Sequence, residues 1–248
     1  MNRDRFYRRY MGGEDLRSFG VRCGETDLWI GMDAHSYDAY KGKDLREMAL
    51  DELRLLRGEL EDYVAGDPGF ARSLTPYNVP PHAPDSVRDM ANAADKAGVG
   101  PMAAVAGLFA KRVGEKVREA AKCEKLLVEN GGDLYLYSHR PITVSIYAGE
   151  SPLSEKVGIC LNPEGFMGVC TSSATVGHSL SFGKADAVVA VARDVPLADA
   201  CATSYCNLVK SEGDIERVLT KAEADGLLEG IVIILGEHLG AWGNLQLL

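Results

Sequence analysis

Two hydrophobic periods alternate along this chain, and each change of period marks an element. From 44 to 64 the apolar residues Leu45, Ala49, Leu53, Leu56, Leu60 and Tyr63 recur at helical spacing. Glu47, Asp51, Arg54 and Glu61 take the other face, so the segment predicts an amphipathic helix. Asp85 is a helix-capping residue type, and a short helix is expected from there to about 97. In "GPMAAVAGLFAKRVGEKVREAAK", Pro101 suits a first helical position. Met102, Val105, Phe109, Val113 and Val117 then line one face, against Lys111, Glu115, Arg118 and Lys122. This predicts a helix over 100–122 lying on a sheet. Its first two turns are nearly all Ala and Gly, which leaves room for close approach.

Shorter apolar runs predict strands at 124–128, 134–138, 142–147, 156–161, 186–192 and 230–235. Residues 5 to 31 also read as strands, including "DLWIGM" at 27–32 after a turn at Gly24. Further helices are expected at 197–209 and 213–224. Residues 65–84 hold five of the ten prolines and cannot be regular structure for long; a lid and a plain surface crossing both fit. Strands and helices come in runs rather than strict alternation. That predicts an α+β fold, one domain over residues 1–248, with a largely antiparallel sheet and packed helices.

Composition narrows the function classes. The 248 residues carry 27 basic and 36 acidic side chains, a formal charge of −9. General nucleic-acid binding, which depends on neutralising phosphates, is a poor fit. The basic start, Arg3, Arg5, Arg8 and Arg9 with Phe6, Tyr7 and Tyr10 between them, reads as a strand with a solvated face or as a phosphate patch. No apolar run is long enough to cross a bilayer, and the N-terminus lacks the apolar core of a signal peptide. Cys23, Cys123, Cys160, Cys170, Cys201 and Cys206 form no C-x-x-C pair, so a cytoplasmic protein with reduced thiols is expected. The size and the apolar tail "GNLQLL" suggest a homodimer.

Four segments concentrate chemistry. "VENGGD" ends an apolar strand at Asn130. Gly131 and Gly132 permit positive φ and close approach of a ligand, and Asp133 follows; a hairpin turn explains the same residues. "GPMAAVAG" opens a helix, whose free N–H groups favour anions; small residues also allow close helix–sheet packing. "TSSATVGHSLSFGKAD", 171–186, gathers Thr171, Ser172, Ser173, Thr175, Ser179 and Ser181 around His178, with Lys184 beyond. Its hydroxyls suit phosphate or ribose oxygens, His178 can act as acid or base near neutral pH, and Lys184 can neutralise a phosphate. A long hairpin satisfying its own turns is the competing reading. In "PLADACATSY", Asp199 and Thr203 stand four apart, on one face of a helix. With a carbonyl from elsewhere they would form an oxygen-rich partial cage suited to Mg²⁺; Asp199 as a helix-start charge is the alternative. His35, His82, His139 and His238 show no zinc-ligand spacing.

In order, "GPMAAVAG", "VENGGD", "TSS…GHSLSFGKAD", "ADACAT" and the closing "LGAWGN" resemble the ApbE-like protein family found largely in anaerobic bacteria and archaea. The resemblance runs from "ETDL" at 25 almost to the last residue. More distantly the chain resembles the ApbE flavin transferases, which take FAD and Mg²⁺, cleave the pyrophosphate and attach FMN to a Thr or Ser of a target protein. The resemblance implies a T-fold-like architecture. It aligns the transferases' G-[IV]-A-K-G with Met102–Val105, so that Ala103 offers a carbonyl to the metal. It aligns their N-x-G-G-D turn with Asn130–Asp133, their T-S-G loop with Thr171–Ser173, and their A-D-A-x-[ST]-T-A helix with Ala198–Thr203, with Asp199 and Thr203 as metal ligands. Two features depart: Ala104 stands where the Lys of A-K-G belongs, and "GHSLSFGKAD" replaces H-x-x-D-P-x-T-G, keeping only His178.

Two functions follow as expectations. One is Mg²⁺-dependent binding or transfer of a flavin or nucleotide phosphate ester, with His178 as acid or base and Asp133 orienting ligand or water. Its ligand would be FAD, FMN or a related nucleotide, held by residues 130–132, 171–173, 175, 179, 181 and 184. The other is a non-catalytic binding or accessory protein in anaerobic sulfur assimilation, toward sulfide or homocysteine. Cys170 or Cys201 would be its reactive thiol, the latter activated by a helix N-terminus.

Overall fold

The computed structural model describes residues 16–40, 42–175 and 182–248. The basic start with its aromatics, and His178, Ser179 and Ser181, lie outside these residues. Strands β1 (Leu16–Cys23) and β2 (Thr26–Asp33) are followed by helices α1 (Ala34–Tyr40), α2 (Gly42–Gly66), α3 (Pro68–Arg72) and α4 (Asp85–Ala97). A 3-10 turn at Pro101–Ala104 leads into α5 (Val105–Ala121). Then come β3 (Lys125–Asn130), β4 (Asp133–Ser138), β5 (Ile142–Ser145), β6 (Gly158–Leu161), β7 (Gly165–Ser172) and β8 (Ala187–Ala192). Helices α6 (Val195–Leu208) and α7 (Asp214–Asp225) precede β9 (Gly230–Leu235), β10 (His238–Gly243) and β11 (Gln246–Leu247).

The fold is α+β. Eight strands form one sheet in the order β1-β2-β3-β4-β7-β8-β9-β10, and β11-β6-β5 form a second, smaller one. Every pairing is antiparallel. Both faces of the large sheet are covered, so central strands such as β8, "AVVAVA", are buried along their whole length. Period-two alternation then sorts residues between two cores. Leu126, Val128, Tyr135, Cys170, Val188 and Ala190 face the helices. Leu127, Leu134, Leu136, Met167, Val169 and Val189 face the small sheet, with its Ile142, Ile159 and Leu161.

Helix α4 matches its expected span. The helix expected over 100–122 divides, its first four residues tightening into the 3-10 turn. The Pro-rich segment crosses the surface and is pinned, since the Tyr77 hydroxyl donates to Asp67 at 2.8 Å and its ring meets Phe70 edge-on. Strand β7 departs from expectation. Thr171 and Ser172 end a strand of the large sheet, although their hydroxyls suggest a loop. Among the described residues no helix is long and apolar enough to cross a membrane.

Candidate functional site

The β3–β4 hairpin turns through two residues. Asn130 pairs with Asp133 across the tip, and Gly131 and Gly132 take φ of +70° and +111°. Two successive positive φ values are the backbone of a tight hairpin turn, which glycine adopts without steric cost. The Gly132 N–H donates to Glu129 Oε1 at 2.9 Å. This turn fixes where Asn130 and Asp133 point. Both lie on the helix-facing side of the sheet, by alternation with Val128 and Tyr135.

The start of α5 comes down onto this tip. Asn130 Nδ2 donates to the Ala106 carbonyl at 3.1 Å. Next to it, the Gly107 N–H donates to Asp199 Oδ2 at 2.8 Å. Asp199 is the single charged residue of α6, whose sequence VPLADACATSYCNL is otherwise neutral. The approach of α5 to α6 is possible because residue 107 is glycine: a Cβ there would lie 2.9 Å from both Asp199 Cβ and the Val195 carbonyl oxygen. The third wall is β7. Leu134 pairs with Val169, so Cys170 stands opposite Asp133 one step further along. Its thiol shares one hydrogen between the Asp133 carboxyl and the Val195 carbonyl oxygen 3.6 Å away. Ser172 pairs with Val188 of the helix-side core and therefore shares this face.

Two carboxylic acids are thereby buried close together, Asp133 at 7% exposure and Asp199 at 8%. Burial, and then the charge of Asp199, push the Asp133 carboxyl well above the usual carboxylate range. Burial raises Asp199 to about 7, against the pull of the Gly107 and Ala106 N–H groups. Asp133 Oδ1 and Ser172 Oγ are buried without any hydrogen-bond partner. Buried polar atoms left in that state cost free energy and call for an explanation.

The other expected residues are placed as follows. Thr171 pairs with Val189, so its side chain faces the small sheet, away from Asp133. Ser173 Oγ accepts the Thr175 N–H at 3.1 Å, and Thr175 Oγ1 bonds Asp186 at 3.2 Å, so these hydroxyls serve their own turn. Lys184 is exposed. Ala103 lies in the 3-10 turn with its N–H on the Gly100 carbonyl; the N–H groups that reach Asp199 are those of Ala106 and Gly107. Thr203 is half-buried on α6, one turn beyond Asp199. Cys170 and Cys201 are fully buried. Burial pushes the Cys170 thiol well up, and raises Cys201 to about 12 with Asp225 and Asp194 adding to it. The expected activation of Cys201 by a helix start therefore fails: the residue packs inward near acidic groups, and its thiol stays protonated.

Sequence reasoning overlooked Ala106 and Gly107 as individuals. They act through backbone groups, and the available signal was the run of small residues itself.

A family model described as AbpE bacteria matches residues 8–236. The chain belongs to this ApbE-like family. Its relatives include the UPF0280 protein of Methanosphaerula palustris, 46% identical over 200 residues that cover 80% of this chain and 82% of the relative. The UPF0280 protein of Methanococcus aeolicus is 39% identical over 228 residues, 89% of this chain and 88% of that one. Among solved structures, the ApbE protein of Thermotoga maritima aligns with a TM-score of 0.52 at 13% identity, covering 91% of this chain and 96% of that chain. At that identity the likeness shows a shared fold.

The donor set fits Mg²⁺, which takes oxygen ligands and keeps several waters. Asp199 and Asp133 supply carboxylates, and the unpartnered Ser172 Oγ is a neutral oxygen. Among the described residues no three His, Cys, Asp or Glu side chains gather into a metal-holding group. A cation here would rest on two carboxylates and neutral oxygens.

Proposed function

We propose that this ApbE-like protein binds a flavin or nucleotide phosphate ester together with Mg²⁺ at the hairpin tip, beside the start of α5. One observation carries the reading: two buried carboxylates, Asp133 and Asp199, meet at a helix start without a cationic partner among the described residues, and Asp133 Oδ1 is orphaned. Such a site favours a multivalent cation, and a phosphate ester would complete that cation's shell. Mg²⁺ bound there would stabilise charge developing on phosphate oxygens. Asn130, held by the Ala106 carbonyl, and Ser172 would orient the ligand. His178, Ser179, Ser181 and Lys184 would supply its remaining polar contacts, with His178 as acid or base. Ala104 at the position of the transferases' A-K-G lysine, and the missing D-P-x-T-G, favour binding or a changed transfer over protein flavinylation as the transferases perform it. Cys170 and Cys201, the thiols that the sulfur-assimilation reading calls on, are buried with raised pKa values, which favours the cation-dependent reading.

Native mass spectrometry of the purified protein tests this, with FAD, FMN or AMP added in the presence and absence of Mg²⁺. Mg²⁺-dependent retention of one of them is expected, and its loss in Asp199→Ala. Ala is a good helix former, so the fold should survive. Retention unchanged in that variant, or no retention of any of the three by the unaltered protein, overturns the proposal.

A further inference from the structure

The family resemblance assigns one carboxylate, Asp199, to the metal. We infer that Asp133, from the hairpin tip, is a second carboxylate of the same cation seat, with Ser172 Oγ beside it. The inference rests on the cation-dependent reading above but makes a separate demand on the chain.

Asp133 is built into the site rather than left there by the turn. The hairpin needs glycine at 131 and 132 but no acid at 133. Turn residues that stabilise themselves do so through bonds like that of Glu129 to the Gly132 N–H. Asp133 instead points under the helices. Its carboxyl receives the Cys170 thiol and the Thr171 N–H, while Oδ1 has no partner. The second observation is independent and comes from another strand. Ser172, at 4% exposure, sits on the same face of β7 as Cys170, and its Oγ is also buried without a partner. A hydroxyl can satisfy itself with almost any neighbour, so an orphaned one on the same face of the sheet as an orphaned carboxyl oxygen, two residues along β7 from the position opposite it, marks a place where something outside the chain binds. Among the described residues neither Asp133 nor Asp199 forms an ion pair with Lys, Arg or His. A bound species that satisfies two carboxylates and a hydroxyl at once is a hard cation with oxygen preference.

The consequence is a difference in affinity order. A seat with one carboxylate needs a phosphate ligand to hold its cation. A seat with two holds the cation first, before any nucleotide arrives. Isothermal titration of the full chain with Mn²⁺ or Mg²⁺ alone, without nucleotide, tests this. The unaltered protein should bind one cation, and Asp133→Asn should weaken binding at least tenfold, with Ser172→Ala weakening it less. Burial already holds the Asp133 carboxyl toward its neutral form, and Asn matches that form in size, so the metal-free Asp133→Asn variant should fold and melt no lower than the unaltered protein; circular dichroism and thermal melting check this. Wild-type affinity in Asp133→Asn overturns the inference, as does failure of the unaltered protein to bind either cation alone. Either result leaves the nucleotide proposal standing, because that proposal is decided by Mg²⁺-dependent retention of the ligand.

Discussion

The two ends of the β3–β4 hairpin lie under the two ends of α5, and they handle charge in opposite ways. At the open end, Arg118 near the close of α5 sets its guanidinium 4.9 Å over the Tyr137 ring. The Tyr137 hydroxyl meets His139 Nε2 at 3.1 Å, and Ser138 Oγ takes the Arg140 N–H at 2.9 Å. At the tip, two carboxylates share a buried space, and one of their oxygens has nothing. The same two strands and the same helix thus hold a cation the chain accommodates itself and a pair of anions it does not. The chemistry of the groups explains the difference. A guanidinium spreads its charge over a plane and can rest on an aromatic face. A carboxylate needs donors or a cation, and N–H groups at a helix start satisfy only part of it. One end is finished by the fold, and the other is completed by a ligand.

The largest expected effect comes from the tip. Asp199 has a folded-state pKa of about 7, against about 3.9 for an unfolded aspartate. Between those values the unfolded chain has released the proton and the folded chain keeps it. The folded state then binds more protons, so stability falls as pH rises from about 4 to about 7 and levels off above. Asp33, Asp214 and Asp225 have carboxyls held below the usual range; they gain stability with rising pH, but at lower pH. Asp199→Asn keeps an oxygen for the Gly107 N–H and removes the charge. Thermal melts in metal-free buffer should therefore show the native protein losing on the order of 3 kcal/mol relative to Asp199→Asn between pH 4.5 and 8. Parallel melting curves for the two proteins across that range would show that the tip is not strained by charge, and the contrast between the two ends would collapse.

A second, smaller effect concerns the seam that lets α5 approach α6. Gly107→Val would place side-chain atoms where Asp199 Cβ and the Val195 carbonyl already stand 2.9 Å from a bare Cβ. Overpacking of this kind costs about 1–3 kcal/mol. It should also pull the N–H of residue 107 off Asp199, lowering cation affinity together with melting temperature. A variant that melts like the unaltered protein would mean the seam is loose, and that the tip does not depend on this contact.

Much of the frame was legible in the sequence, and particular residues show why. The stripe Leu45, Ala49, Leu53, Leu56 and Leu60 is polar-backed and long, so α2 emerges from periodicity alone. β8 and β9 are short apolar runs with β-branched residues, as strands buried on both faces must be. β7, "GFMGVCTS", was missed because it breaks both rules: Gly168 yields to the close passage of Val195, and Thr171 and Ser172 end it with hydroxyls. β10, "HLGAWG", lies at the sheet edge and has no alternating pattern to read. Within the site, Asn130, Asp133 and Asp199 were legible as polar residues in apolar settings. Ala106 and Gly107 were not individually legible, since a backbone N–H and a carbonyl leave no mark in residue type. Thr171 carries the right chemistry on the wrong face, because register decides facing and the register of β7 was unread.

The smallest expected effect tests the finished end. If the Arg118 guanidinium is held by the Tyr137 face, removing either partner loses the attraction, and removing both loses it only once. Arg118→Met keeps a long apolar stem, and Tyr137→Leu keeps bulk without a π-face. A double-mutant cycle isolates the pair from each variant's other losses. The coupling should be about 0.5–1 kcal/mol, the range for a partly exposed cation over an aromatic ring. It should survive added salt, since Arg118 has no carboxylate partner among the described ion pairs. The cycle also bears on Arg118 Nε, which is buried without a hydrogen-bond partner like Asp133 Oδ1. If coupling is absent, the Tyr137 face does not account for the orphaned Arg118 Nε, and orphaned buried atoms lose their meaning as markers of a ligand seat. If it is present, the ring accounts for Arg118; the other unpartnered guanidinium nitrogen, Arg112 Nε, belongs to a group paired with Asp89 at 2.7 Å, and the orphans of groups with no ion pair or aromatic face are those at the tip.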